Sequence, residues 1–302
     1  MILSLAGIVL GADFLVKGAV VVARKCKVSS FVIGAVIVGI GTSLPELVVS
    51  TVGAIGGNSE VAIGNVVGSN IFNVFAILGL TALFFPIAVS RENMKFEIPF
   101  CIAVSILLML LVYNFFVVGE PRLGRWDGAA LLLVFTAFMW ISLRRGKSSA
   151  AAVGESVEEV NKSLWFAAFS ILGGLAALIV SSNFFVDEAV AIARKLGVSD
   201  AFISITLLAC GTSLPELAAS VTAALKKDTD MALGNIIGSN IFNATMILGT
   251  ASLITPLTTG KIGLVDYGAM ILAAVLPMIF GIRGKITRFE GLLMLLCYAA
   301  YT

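Results

Sequence analysis

Gly39-Ile-Gly-Thr-Ser-Leu-Pro-Glu-Leu-Val-Val-Ser50 is the stretch that decides how this chain is read. It sets Glu46 inside an apolar run from about Phe31 to Ile55. An ionised group in hydrocarbon costs at least a few kcal/mol, so where one is kept it marks a pathway or a site. At helical spacing Gly39, Thr42, Glu46 and Ser50 fall on one face, and Ser43 lies three residues before Glu46, so hydroxyls and carboxylate share a side. Pro45 has no N–H to give the Gly41 carbonyl, and its ring crowds that oxygen. The helix is expected to bend or break there and turn backbone oxygens toward the carboxylate. The same words return at Cys210-Gly-Thr-Ser-Leu-Pro-Glu-Leu-Ala-Ala-Ser220, which adds a second carboxylate, Glu216.

The rest of the chain supplies the setting. Of 302 residues 59% are apolar and 13% charged, and the mean hydropathy is +1.06. That excludes a soluble domain. Apolar runs of roughly 18–25 residues recur, the length that crosses about 30 Å of hydrocarbon. They predict ten helices, near 1–22, 29–55, 60–85, 96–117, 126–144, 163–190, 199–225, 230–256, 264–282 and 287–302. One connection is long, Arg145–Lys162, and its Ser, Ala, Gly and charged residues read as a flexible linker. Met1–Leu10 has no basic segment before it, so a cleaved signal peptide is not expected. The chain has no histidine, which argues against His-ligated Zn, Cu or Fe and against His proton relays. Cys26, Cys101, Cys210 and Cys297 are far apart, form no metal-ligand spacing and read as apolar filler.

Repetition organises the chain. A shift of 170 positions lays Ala23-Arg-Lys25 on Ala193-Arg-Lys195 and Gly41–Glu46 on Gly211–Glu216. The same shift lays Gly64-Asn-Val-Val-Gly-Ser-Asn-Ile-Phe-Asn73 on Gly234-Asn-Ile-Ile-Gly-Ser-Asn-Ile-Phe-Asn243. Five helices per half is an odd number, so equivalent helices cross in opposite directions. The expected fold is therefore an all-α integral membrane protein of ten transmembrane helices. It is built as two inverted five-helix repeats, 1–144 and 163–302, with the 145–162 linker between them and broken helices at the site.

Loop charge sets the orientation. One set of alternate loops carries Arg24, Lys25, Lys27, Arg91, Lys95, Arg144, Arg145, Lys147, Lys162, Lys226, Lys227, Arg283, Lys285 and Arg288, which is 14 basic residues. The other carries Arg122, Arg125, Arg194, Lys195 and Lys261, which is 5. The positive-inside rule puts the first set and the linker in the cytoplasm and both termini outside.

In the second motif of each half, Asn65, Ser69 and Asn73, and likewise Asn235, Ser239 and Asn243, are four apart and form a polar stripe. Gly64, Gly68, Gly234 and Gly238 read as helix-packing positions, because small-xxx-small spacing lets helices approach closely. The serines and terminal asparagines, which recur beside each carboxylate motif, read as ligand contacts. Asn73 and Asn243 are expected to face each other near the glutamates. Asp13 and Lys17, four apart, read as a self-paired group, and Asp187 and Glu188 as interfacial. Thr42, Ser43, Thr212 and Ser213 have back-bonding to their own helices as the competing reading, weaker for the two threonines on the carboxylate face. Two carboxylates with hydroxyl, amide and carbonyl oxygens suit hard cations such as Ca²⁺. Their combined −2 neutralises one Ca²⁺ or two Na⁺.

The paired Gly-Thr-Ser-Leu-Pro-Glu and Gly-Ser-Asn-Ile-Phe-Asn motifs resemble the two repeats of the calcium/cation antiporter superfamily, close to its prokaryotic Na⁺/Ca²⁺ exchangers. The resemblance runs over essentially the full length. It implies a transporter rather than an enzyme, with Ca²⁺ and Na⁺ as substrates, no cofactor, and a place in the cell membrane. The second, third, seventh and eighth helices would hold the ions, while the first and sixth slide across them. Position by position it implies Glu46 and Glu216 as the shared carboxylates. Thr42, Ser43, Thr212, Ser213, Ser69 and Ser239 would be hydroxyl neighbours. Gly39 and Ala209 would contribute backbone carbonyls, and Asn73 and Asn243 the central amides. Asn243 stands where K⁺-dependent relatives carry Asp, which lowers the case for K⁺ co-transport. No nucleic acid or obligate protein partner is expected, and the linker is too short for a Ca²⁺-sensing domain. The runner-up is an H⁺/Ca²⁺ antiporter, behind it a passive cation channel. An intramembrane hydrolase is disfavoured, because Ser43 and Ser213 have no His or Lys to activate them.

Overall fold

The computed structural model describes residues 1–113, 120–148, 163–195 and 211–302. In chain order the helices are α1 (Ile2–Cys26), α2 (Ser30–Thr42), α3 (Leu44–Ile55), α4 (Ser59–Phe84), α5 (Asn93–Tyr113), α6 (Arg125–Ser148), α7 (Leu164–Lys195), α8 (Leu214–Leu225), α9 (Thr229–Ile254), α10 (Leu264–Gly281) and α11 (Arg288–Tyr301). Seven of these are long and apolar enough to cross a membrane by themselves, and the bent α2–α3 pair makes an eighth. The expected ten are therefore not reached by helix length. With 14 residues, α11 rises only about 21 Å. The start of the expected helix 199–225 lies outside the described residues, as does most of the 145–162 linker.

The outer helices face lipid. Leu133 on α6 and Phe169 on α7 are 71% and 79% exposed, which water would penalise and acyl chains do not. Inside a bilayer no hydrophobic effect drives helices together, so packing rests on close backbone approach between small residues. That is what joins α1 to α7. Gly7 lies against Ser181, Gly11 against Gly174 and Leu178, and Gly18 against Ala167 and Ile171, so the two helices run antiparallel. A methyl at Gly11 would stand 2.8 Å from the Leu178 nitrogen and 2.9 Å from the Gly174 oxygen.

The mostly buried α4 and α9 form the centre. Gly234 and Gly238 of α9 sit against the backbone of Phe31 and Ala35, as the packing reading of those glycines requires. In the other half Gly64 meets only the Ile262 side chain, and Gly68 meets nothing within 4 Å among the described residues. The equivalents of Phe31 and Ala35, positions 201 and 205, are outside them.

Two short ribbons tie the loops at opposite ends. β1 (Ile87–Ala88) pairs with β4 (Lys285–Ile286), and β2 (Arg122–Leu123) pairs with β3 (Leu257–Thr258). Nearby, Val89 N donates to Gly284 O at 2.9 Å and Ala88 N to Thr229 Oγ1 at 3.3 Å. The loops before α5, α9 and α11, all in the basic set, therefore meet on one face.

Asp13 and Lys17 pair at 2.5 Å as the spacing predicts. Lys226, just past α8, joins them at 2.7 Å and also reaches the Asp13 carbonyl at 3.1 Å. Glu188 binds the chain's amino terminus and accepts from Ser4 Oγ at 2.7 Å.

Candidate ion site

The first carboxylate motif is a broken helix, and the described part of the second repeats its backbone. Ser43 leaves the helical region at φ −83°, ψ 9°, and α2 and α3 meet there at 47°. The break comes two residues before Pro45, which occupies the first turn of α3 instead of interrupting a helix. That position needs no intrahelical N–H, so proline starts the new helix at little cost. Glu46, also in that first turn, meets the positive end of the helix dipole. Ser213 has the same backbone, φ −92°, ψ 8°, with Pro215 and Glu216 in the first turn of α8.

The hydroxyls cross between the halves. Ser43 Oγ donates to Glu216 Oε1 at 2.8 Å, and Ser213 Oγ donates to Glu46 Oε1 at 2.9 Å. Both glutamates are fully buried, and among the described residues neither has a basic partner. Spacing put both the threonines and the serines with the carboxylate, and Thr42 and Thr212 do approach the glutamates of the opposite halves, Glu216 and Glu46. Thr42 Oγ1 also lies 3.0 Å from its own helix's Val38 carbonyl and 3.3 Å from Asn235 Oδ1.

The polar stripe serves three different purposes along its length. Asn65 Nδ2 donates to the Glu46 carbonyl at 3.2 Å and to Ser50 Oγ at 3.0 Å. Asn235 repeats this with the Glu216 carbonyl at 3.1 Å and Ser220 Oγ at 2.8 Å. These asparagines hold the carboxylate-bearing helices α3 and α8 in place. In the middle, Ser239 Oγ donates to the Gly39 carbonyl at 3.2 Å. Gly39 thus stands at the contact between α2 and α9, while Ala209 lies outside the described residues.

At the end of the stripe, Asn73 and Asn243, expected to face one another, each bond across to the other half rather than to each other. Asn73 Nδ2 donates to Asn240 Oδ1 at 3.0 Å, and Asn243 Nδ2 donates to Asn70 Oδ1 at 3.1 Å. Asn70 and Asn240 also exchange bonds, each Nδ2 reaching the other's backbone carbonyl, at 3.1 and 3.2 Å. These two residues were missed from sequence. Their recurrence at the 170-residue shift was visible, but three positions before the final Asn they fall off the i, i+4 stripe. From Asn73 and from Asn243 the helices widen into π turns, Asn73–Leu78 and Asn243–Ile247, a distortion frequent at functional sites. The first packs against α8 and the second against α3, so each π turn meets the carboxylate-bearing helix of the other half.

This network leaves a specific remainder. Glu46 Oε2, Glu216 Oε2, Ser69 Oγ, Thr212 Oγ1, Asn73 Oδ1 and Asn243 Oδ1 are buried without a hydrogen-bond partner among the described residues. Buried polar atoms are normally satisfied, and an unpaired one costs about 1–3 kcal/mol. These six oxygens, on residues of the two paired motifs, are of the hard kind that Ca²⁺ and similar cations take. Among the described residues no three or more His, Cys, Asp or Glu side chains group to hold a metal. The charge thus comes from two carboxylates and the other oxygens are neutral.

A helical membrane protein whose two sequence-related halves exchange hydrogen bonds at their buried carboxylates is built like a secondary transporter. By its sequence the chain belongs to the sodium/calcium exchanger protein family, whose model matches residues 1–144 and 166–302. It is 38% identical to CaxA of Alkalimonas amylolytica, over 99% of this chain and 96% of that protein. It is 33% identical to the sodium/calcium exchanger MaX1 of Methanosarcina acetivorans, over 100% of this chain and 96% of that one. Its fold is similar to the solved sodium-calcium exchanger NCX_Mj, with a TM-score of 0.85, 33% identity and coverage of 99% and 95% of the two chains.

Proposed function

We propose that this protein exchanges Na⁺ for Ca²⁺ across the membrane by alternating access. The observation that carries the reading is the set of six unsatisfied buried oxygens around Glu46 and Glu216. A single pair of carboxylates makes the two ions competitors: −2 is neutralised by one Ca²⁺ or by two Na⁺, and each ion's entry expels the other. Glu46, Glu216, Ser69, Thr212, Asn73 and Asn243 are the ligands that already present free oxygens. Ser43, Ser213, Thr42 and Ser239 orient them or rotate in as hydroxyl ligands, and the carbonyls of Gly39 and Ala209 complete the set.

The arrangement proposed is ten helices in two inverted repeats, 1–144 and 163–302. The crossed Ser–Glu contacts and the recurrence of α3 as α8 and of α4 as α9 support it. The α1–α7 pair, joined by glycine contacts, is the unit that slides across the site. Both termini lie outside and the 145–162 linker is cytoplasmic, in keeping with the basic loops that meet on one face.

A Na⁺-gradient-driven ⁴⁵Ca²⁺ flux in proteoliposomes tests the activity. Uptake should follow an outward Na⁺ gradient and not a pH gradient. Glu46→Gln and Glu216→Gln should each abolish exchange while the protein still purifies as a folded species. Normal exchange by either variant would remove that glutamate from the shared site. Uptake driven equally by a pH gradient would overturn the choice of Na⁺.

A further inference from the structure

Away from the ion site, a second feature is built where the basic loops meet. We propose that the cavity between the start of α5 and the end of α10 binds the phosphate of an anionic phospholipid headgroup. The cavity has a volume of about 470 Å³, and three of its eight lining residues, Arg91, Lys95 and Arg283, are cationic while none is acidic. Among the described residues no ion pair involves any of the three.

Their placement, exposed and close together, brings three like charges to one spot. Arg91 and Lys95 are four residues apart on one helical turn, where like charges repel. They also flank the N-terminal end of α5, where Asn93 N donates to Ser90 Oγ at 3.1 Å. That helix end is already positive. A phosphate between Arg91, Lys95 and Arg283 offsets the mutual repulsion and meets the helix dipole together.

The walls are fixed before any ligand arrives. The β1–β4 ribbon and the 2.9 Å bond from Val89 N to Gly284 O hold the two loops in register. Gly281 packs so closely on Val89 and Met94 that a side chain there would collide with both. The surroundings favour a lipid over a soluble phosphate. Val89 and Met94 give the cavity an apolar floor, and Ile282 on its wall is 74% exposed beside the lipid-facing Ile279. A cationic rim over an apolar surface at a helix end matches a headgroup with its acyl chains descending alongside.

The test uses the full-length protein in detergent, with lipid retention followed by native mass spectrometry. Phosphatidylglycerol should be retained in preference to phosphatidylcholine. Each basic residue near an anionic surface contributes about a fivefold factor. The triple variant Arg91→Gln, Lys95→Gln, Arg283→Gln should therefore weaken phosphatidylglycerol binding on the order of a hundredfold. A control triple, Lys25→Gln, Lys27→Gln, Lys227→Gln, removes the same charge elsewhere in the basic loops and should lose much less. Equal losses in the two triples would overturn the site in favour of diffuse attraction. Displacement of the lipid by millimolar inorganic phosphate would overturn the lipid in favour of a soluble phosphate. If the first triple fails to purify, Arg283→Gln alone decides: a loss of roughly fivefold supports the site, and unchanged binding overturns it.

Discussion

Ser43 and Ser213 each serve the carboxylate of the other half, and that exchange fixes what their loss should do. A hydrogen bond to a charged group contributes about 1.5–3 kcal/mol. Ser43→Ala and Ser213→Ala should each raise the Ca²⁺ concentration for half-maximal exchange by roughly ten- to a hundredfold, and by similar factors, because their contacts at 2.8 and 2.9 Å are equivalent. Unchanged Ca²⁺ dependence would mean these hydroxyls only stabilise the break. At Asn243 the prediction is qualitative. Asn243→Asp would place a third carboxylate beside two buried ones and take away the amide that donates to Asn70 Oδ1. Like charges so close cannot all stay ionised in a dry site, so the variant should bind a proton or a further cation. Exchange that becomes more pH-sensitive, or is newly stimulated by K⁺, is the expected result. Unchanged pH and K⁺ dependence in a folded variant would take Asn243 out of the site.

Among the elements, the α1–α7 contact is the clearest to challenge. Gly11 faces backbone atoms at 2.8 and 2.9 Å, which cannot move aside as a side-chain end would. Overpacking a tight contact costs about 1–3 kcal/mol. Gly11→Leu should lower the thermal midpoint of the purified protein and slow exchange more than it changes the Ca²⁺ dependence, because it jams a helix pair and touches no ligand. The motif-bearing elements were legible from sequence because their signals are local. Proline, glycine, hydroxyls and a carboxylate at fixed spacing specify a broken polar helix in an apolar chain. What was not legible depends on which helix faces which. Spacing put Thr42 and Ser43 with the carboxylate, but could not show that the carboxylate they reach is Glu216, in the other half. Nor could it show that Asn73 and Asn243 would each bond to the inner Asn of the other half, Asn240 and Asn70. The expected 287–302 was already shorter than a full span, and α11 keeps it so.

At the scale of the whole molecule, orientation is open to direct measurement. Fourteen basic residues in one set of loops against 5 in the other predict that a cysteine placed at 145–162, in a version lacking the four native cysteines, reacts with impermeant reagents only from the cytoplasm. Labelling from outside intact cells would reverse the assignment. The crossed serines carry a different consequence. Neither half alone contains a finished site: each brings one carboxylate and the hydroxyl that belongs to its counterpart. Cutting the gene within the linker and producing 1–150 and 151–302 as separate polypeptides should yield two inactive fragments, each silent when made alone. Made together in one cell they should reassociate in the bilayer and recover Ca²⁺ exchange. Rescue should persist when Glu46→Gln is placed in a surplus copy of the first fragment, and should vanish when it is placed in the only copy.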